Sequence, residues 1–136
     1  MPRGLSKIDF TFFLNQTVTE IVEINRKPTG IIFENANLII ECPFRLRDSA
    51  GIVMGLSDYQ YAQDMFSYRT VEKVLIGRSI KNIRLYEDVA DLVMEFDGDI
   101  MLELFHDSNY FEGWQLHGTN GFYINSLPGG AYTYTD

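Results

Sequence analysis

A single cysteine, Cys42, stands in 136 residues, so no disulfide can close within the chain. Stability has to come from a packed core, which a domain of this length can supply without covalent or metal staples. A lone thiol between Glu41 and Pro43 in an apolar stretch reads as a small packed side chain and is consistent with a reducing cytoplasm. The sequence also lacks a Gly-rich phosphate loop, a Gly-x-Ser-x-Gly elbow and any Cys/His spacing of the zinc-finger type, which leaves no catalytic residue, metal or cofactor to assign. No apolar window nears the roughly 20 residues of a membrane-spanning helix. The opening stretch MPRGLSKIDFTFFLNQ has no continuous apolar run of the signal-peptide kind. The expectation is one soluble cytoplasmic domain over residues 1–136, with no role at a membrane.

The most informative absence is of positive charge. All 11 Lys and Arg lie at or before Arg84, whereas the acids Glu87, Asp88, Asp91, Glu95, Asp97, Asp99, Glu103, Asp107, Glu112 and Asp136 follow it. The chain carries a net charge of −8, and its second part carries all of the excess. Phosphate binding needs a basic groove, so this field argues against nucleic acid as a partner. Neutralisation of the late acids must come from the first part of the chain across the fold, or from a partner.

What is present is mainly strand. Ser79 to Tyr86, Ala90 to Glu95 and Asp99 to Phe105 are rich in Ile, Val, Leu, Met and Phe and punctuated by polar turns. A three-residue loop of Phe96, Asp97 and Gly98, with Gly98 left-handed, sets Leu92 against Leu102 and Met94 against Ile100. One face of that hairpin is then apolar. The other carries Asp91, Val93, Glu95, Met101, Glu103 and Phe105. At an offset of 62 residues, FLNQTVTEIVEI (Phe13 to Ile24) lies over LIGRSIKNIRLY (Leu75 to Tyr86), and NANLIIE over DGDIMLE. These pseudo-repeats, about 13–41 and 75–103, predict an α+β, mainly β fold of two antiparallel β-meanders related by an internal duplication, facing each other with one or two short helices between them. Ser57 or Asp58 is expected to cap a helical segment ending at Gly77, broken so that a second helix begins near Thr70. The alternation in KIDFTFFL suits a strand, but the repeat and the Ser6/Asp9 spacing favour a short helix. Gly113 to His117 and Gly121 to Ile124 read as a hairpin.

FEGWQLHGTNGF, residues 111–122, holds the only Trp and one of two His. The cluster of Glu103, His106, Asp107, Glu112 and His117 is the one place where a metal or catalytic site could form, although its spacing fits no standard pattern. Trp114 is expected to close the core and His117 to sit in a turn. A pocket near Trp114 edged by Glu112 and His117 remains open as an alternative small-ligand or metal site.

At IIECPFRLRD (39–48), LIGRSI (75–80), the hairpin of Leu92, Phe96-Asp97-Gly98 and Leu102, the Glu112-Gly113-Trp114 step and LPGG (127–130), the chain resembles an uncharacterised family of small bacterial proteins. The likeness runs from about residue 13 to 131 and rests on turns and core positions, so it implies a fold more than an activity. By analogy with proteins of this size and kind, it implies an immunity protein, which neutralises a toxin delivered between competing bacteria. Acids around apolar anchors suit a basic protein partner. The function expected is therefore a non-enzymatic acidic binding protein that occludes the active site of a cationic toxin such as a nuclease. Its expected partner-binding residues are Asp91, Glu95, Asp97, Asp99, Met101, Glu103 and Phe105. An exposed edge strand would also permit a homodimer.

Overall fold

The computed structural model describes residues 4–24 and 27–135, with backbone alone at 24 and 27–29. It is an α+β protein, mainly β, of two antiparallel sheets. The strands are β1 (Val18–Ile24), β2 (Lys27–Phe33), β3 (Ala36–Ile40), β4 (Phe44–Asp48), β5 (Gly51–Gly55), β6 (Ile80–Tyr86), β7 (Asp91–Phe96), β8 (Ile100–Leu104), β9 (Trp114–Gly118), β10 (Tyr123–Leu127) and β11 (Ala131–Thr135). One sheet runs β1-β2-β3-β9-β10-β11 and the other β5-β4-β8-β7-β6.

Each sheet is shared between the two parts of the chain. The meander β1–β3 is continued by β9–β11, and the meander β6–β8 by β4 and β5. The seams are the antiparallel pairs β3 with β9 and β4 with β8. Alternation along the strands sends one apolar row of each sheet into a common core. Ile21, Ile31, Leu38, Leu116, Ile124 and Tyr134 are successive cross-strand neighbours in the six-stranded sheet, all buried except Tyr134. Leu46, Leu102, Met94 and Ile83 form the buried row of the other. Phe33 and Phe96 stack between the sheets, 6.5 Å apart and 10° from parallel.

The offset of 62 residues has a geometric counterpart where the two meanders begin. Thr17 and Ser79, separated by that offset, form an antiparallel bridge with their hydroxyls 3.3 Å apart. Four backbone bonds flank it in two matched pairs. Asn15 N–H donates to Ile80 O (2.7 Å) as Gly77 N–H donates to Val18 O (2.9 Å); Ile80 N–H donates to Gln16 O (3.0 Å) as Val18 N–H donates to Arg78 O (2.9 Å). Asn15 and Gly77 both have positive φ, and the pairings β1–β2 and β6–β7 slip at corresponding places, after Val18 and after Ile80. A quasi-two-fold axis therefore passes between Thr17 and Ser79.

The helical segment is divided as expected, but the break falls at residues 62–67, and the β-branched Thr70 and Val71 lie inside the second helix. Helix α1 (Leu56–Tyr61) begins before the expected cap: Gly55 is its N-cap, Ser57 and Asp58 lie in the first turn, and the Asp58 carboxylate reaches back to accept the Gly55 N–H at 2.9 Å. Helix α2 (Tyr68–Leu75) starts two residues before the expected Thr70, because Ser67 Oγ accepts the Arg69 N–H and its own N–H donates to Thr70 Oγ1. Val71 and Leu75, one turn apart, are its buried face. Among the described residues before β1, only Thr11–Phe13 make a helical turn, a 3₁₀ one, with Asp9 accepting the Thr11 N–H.

The β7–β8 hairpin differs from expectation in register. The pairs are Leu92 with Leu104, Met94 with Leu102 and Phe96 with Ile100, two residues from those predicted. Phe96 is buried and belongs to the strand, so the loop is Asp97-Gly98-Asp99, with Gly98 at φ 76° and Asp99 at φ 59°. Asp97 Oδ1 pins this loop by accepting the Ser79 N–H at 2.8 Å. A slip of two preserves the parity of the side chains, so each residue stays on its expected face.

Candidate protein-binding surfaces

The solvent face of the β7–β8 hairpin is built as an ion-pair lattice across four strands. Glu103 on β8 accepts from Arg45 through both oxygens (Nε and Nη2, each 2.9 Å) and from Arg47 Nε at 2.8 Å, both arginines reaching over from β4. Glu95 on β7 accepts from Asn82 Nδ2 at 2.9 Å and lies 3.4 Å from an Arg84 Nη1, both on β6. For Glu95 and Glu103, neutralisation does come from the first part of the chain. Burial raises the Glu103 carboxyl, but the two arginines outweigh it and hold the group below its ordinary value. The apolar residues are also engaged. Arg45 lies over the Phe105 ring at 5.2 Å, and Arg47 Nη2 donates to Met101 Sδ at 3.0 Å. Asp91 and Glu103 are buried. At the hairpin's tip Asp99 is exposed and Asp97 half-buried, with one Asp97 oxygen spent on the loop.

Trp114 is fully buried, and its indole N–H donates to Ala90 O at 2.8 Å. It is a corner of the core. His117 faces Asn125, Nε2 to Oδ1 3.1 Å, in the six-stranded sheet, whereas Glu103 belongs to the five-stranded one. Among the described residues, no three His, Cys, Asp or Glu side chains are gathered as a metal site would need.

A second surface was not legible as such in the sequence. Between α1 and the 106–113 loop lies a groove of about 280 Å³, with Leu56 and Gln60 of α1 on one wall, Cys42 and Gly113 at its floor, and Phe111 with Glu112 on the other wall. Glu41, Asp107 and Glu112 are exposed at this groove, and none has an ion-pair partner among the described residues. Tyr110 and Phe111 stand beside it, 80% and 68% exposed, with their rings edge to face at 4.9 Å. Burial pushes the Cys42 thiol up to about 12, with Asp107 and Asp91 adding to the effect. The thiol is therefore neutral at physiological pH and a poor nucleophile.

The loop bearing those aromatics hangs on one buried oxygen. Ser126 Oγ accepts the N–H groups of Gly113 (2.8 Å) and Trp114 (2.9 Å), which occupy its lone pairs. Its proton therefore goes to His106 Nδ1, 3.0 Å away, and His106 carries its own proton on Nε2, which donates to Ser108 O at 2.8 Å. Ser108 Oγ in turn accepts the N–H groups of Tyr110 and Phe111. The Ser126–His106 pair has the composition and the hydrogen-bond direction of a nucleophile and its base, with the two ring nitrogens exchanged, but not the accessibility. The oxygen is fully buried, and two amides already use the lone pairs that an attack would need. Gly113 fits because any Cβ there would come within 2.5 Å of His106 Nδ1 and 2.9 Å of Ser126 Oγ.

No curated protein and no solved structure compared with the chain matches it. Residues 8–135, from the first 3₁₀ turn through β11 and including both surfaces, match a family of unknown function, DUF6188, and the chain belongs to that family.

Proposed function

We propose that the chain is a non-enzymatic binding protein for a basic protein, and that it acts as an immunity protein, occluding the active site of a cationic toxin domain such as a nuclease. The observation that carries this reading is the company kept by Tyr110 and Phe111. Two exposed aromatic rings adjoin three exposed carboxylates that nothing in the described chain neutralises, beside a groove. Aromatic anchors supply the burial that makes a contact hold, and unpaired acids supply steering and orientation toward Lys and Arg. Asp97 and Asp99 at the hairpin tip extend the same field. Glu95, Met101, Glu103 and Phe105 contribute through the lattice of arginines that they hold in place, and Asp91 from beneath it.

The test is co-expression of the tagged chain with the product of its neighbouring gene, followed by sizing chromatography at low and high salt. A complex with a basic partner that weakens with salt is expected. In the Glu41→Gln/Asp107→Asn/Glu112→Gln variant, association should slow at least tenfold at low salt with dissociation less affected. Unchanged association and unchanged salt dependence in that variant would remove the reading.

A further inference from the structure

Four strands bound the two sheets, and three are protected in the ways that natural edges are. The starts of β1 and β6 are taken up by the bonds around the Thr17–Ser79 bridge, and the end of β6 by Ser6 N–H to Leu85 O and Glu87 N–H to Gly4 O. Strand β5 pairs with β4 through a register shift and runs straight into α1. Strand β11 has none of these devices. It pairs with β10 over five consecutive residues without a bulge, contains no proline or charge, and among the described residues nothing is bonded to its outer side.

Two further observations say what should cover it. The buried row Ile21, Ile31, Leu38, Leu116, Ile124 ends on β11 at Tyr134, which is 46% exposed, so the apolar face of this sheet stops one strand short of closure. From Gly113 to Thr135 the chain contains no Asp, Glu, Lys or Arg. Strand β11 itself offers a basic partner no charge, Glu87 being the acid that acts on its Tyr132, whereas a second copy, also at −8, meets little added acid along this edge.

We propose that β11 pairs with β11 of a second copy, antiparallel about a two-fold axis through Thr133, to give a continuous sheet of twelve strands. In that register Tyr132 faces Tyr134 of the second copy, Ala131 faces Thr135, and Thr133 faces itself. The strand is thus complementary to its own reverse, as an isologous interface requires, and both tyrosine pairs lie on the apolar face.

Sedimentation equilibrium over a hundredfold concentration range tests this. The average mass should rise from 15.7 kDa toward twice that value, and Thr133→Lys, which sets like charges opposite each other on the axis, should return it to the monomer with an unchanged circular dichroism spectrum. A mass that never rises, or that rises equally in Thr133→Lys, overturns the proposal. Should Thr133→Lys fail to fold, Thr133→Cys decides. Mild oxidation should cross-link it through the axis while Thr119→Cys, exposed in the β9–β10 loop, stays monomeric. No cross-link at concentrations where the mass has doubled also overturns it.

Discussion

Ser126→Ala should destabilise the protein far more than the loss of one exposed hydroxyl would. The substitution removes a single oxygen from a fully buried site and leaves the Gly113 and Trp114 N–H groups and His106 Nδ1 facing a methyl group. An orphaned buried donor costs about 1–3 kcal/mol. Two backbone donors, after partial relaxation of the loop, bring the loss to about 3–5 kcal/mol, a large share of a stability that for proteins generally is about 5–15 kcal/mol. For a chain of this length the melting temperature should fall by roughly 10–20 °C. Urea denaturation followed by the fluorescence of Trp114, the only tryptophan, reports on the site itself. Asn125→Ala, the adjacent residue on the opposite face, is the control and should cost less than about 1 kcal/mol. Because Ser126 and His106 share one network, the double variant Ser126→Ala/His106→Leu should lose less than the sum of its parts. A loss below about 1 kcal/mol in Ser126→Ala, or strict additivity in the double variant, would refute the wiring deduced here.

Other consequences are as direct. Glu103→Gln should destabilise at pH 7 by about 1–2 kcal/mol, a value discounted because Arg45 and Arg47 are 40% and 43% exposed. Since the folded carboxyl sits below its ordinary value, the native chain holds this stability above the unfolded carboxyl's range, near pH 4.3, and loses it as pH falls through the lower folded value. Denaturation curves of wild type and Glu103→Gln should therefore converge at acid pH, and a gap that widened there would contradict the pairing. Cys42 should resist a thiol reagent at pH 8 until denaturant is added, since it is both buried and pushed up to about 12; rapid labelling of the native protein would contradict this. Gly113→Ala should cost about 2–4 kcal/mol, because its Cβ meets two polar atoms of the Ser126–His106 pair, and normal stability would mean that the loop can move away.

Strands were legible in the sequence because alternation and β-branching are local, and β6, β7 and β8 lie within a residue or so of the predicted spans. The offset of 62 was legible for the same reason, at the positions that begin each meander. Hairpin register was not. It turned on whether Phe96 ends the loop or enters the core, and that depends on Phe33, 63 residues away in the other sheet. Charge counting located the acids and required their partners to come from the first part of the chain, but it could not say that Arg45 and Arg47 would stand beside Glu103. That follows from the β4–β8 seam alone. The groove was hidden for a similar reason. Gln60, Cys42 and Glu112 are remote in sequence, and the only local signal is a Tyr-Phe pair in a polar stretch.

The quasi-two-fold arrangement also bears on how the chain gets there. Hairpins within each meander close short loops and can form early, but both seams join the first part of the chain to the second and must wait for it. If the backbone were cut between Gly77 and Arg78, each piece would keep one meander plus the strands that complete the other's sheet, and neither would own a closed core. The pieces would be reciprocal templates, each presenting two bare strand edges that only its counterpart fits. Intact, the chain packs one core behind both seams, so opening either seam exposes core that the other sheet also covers.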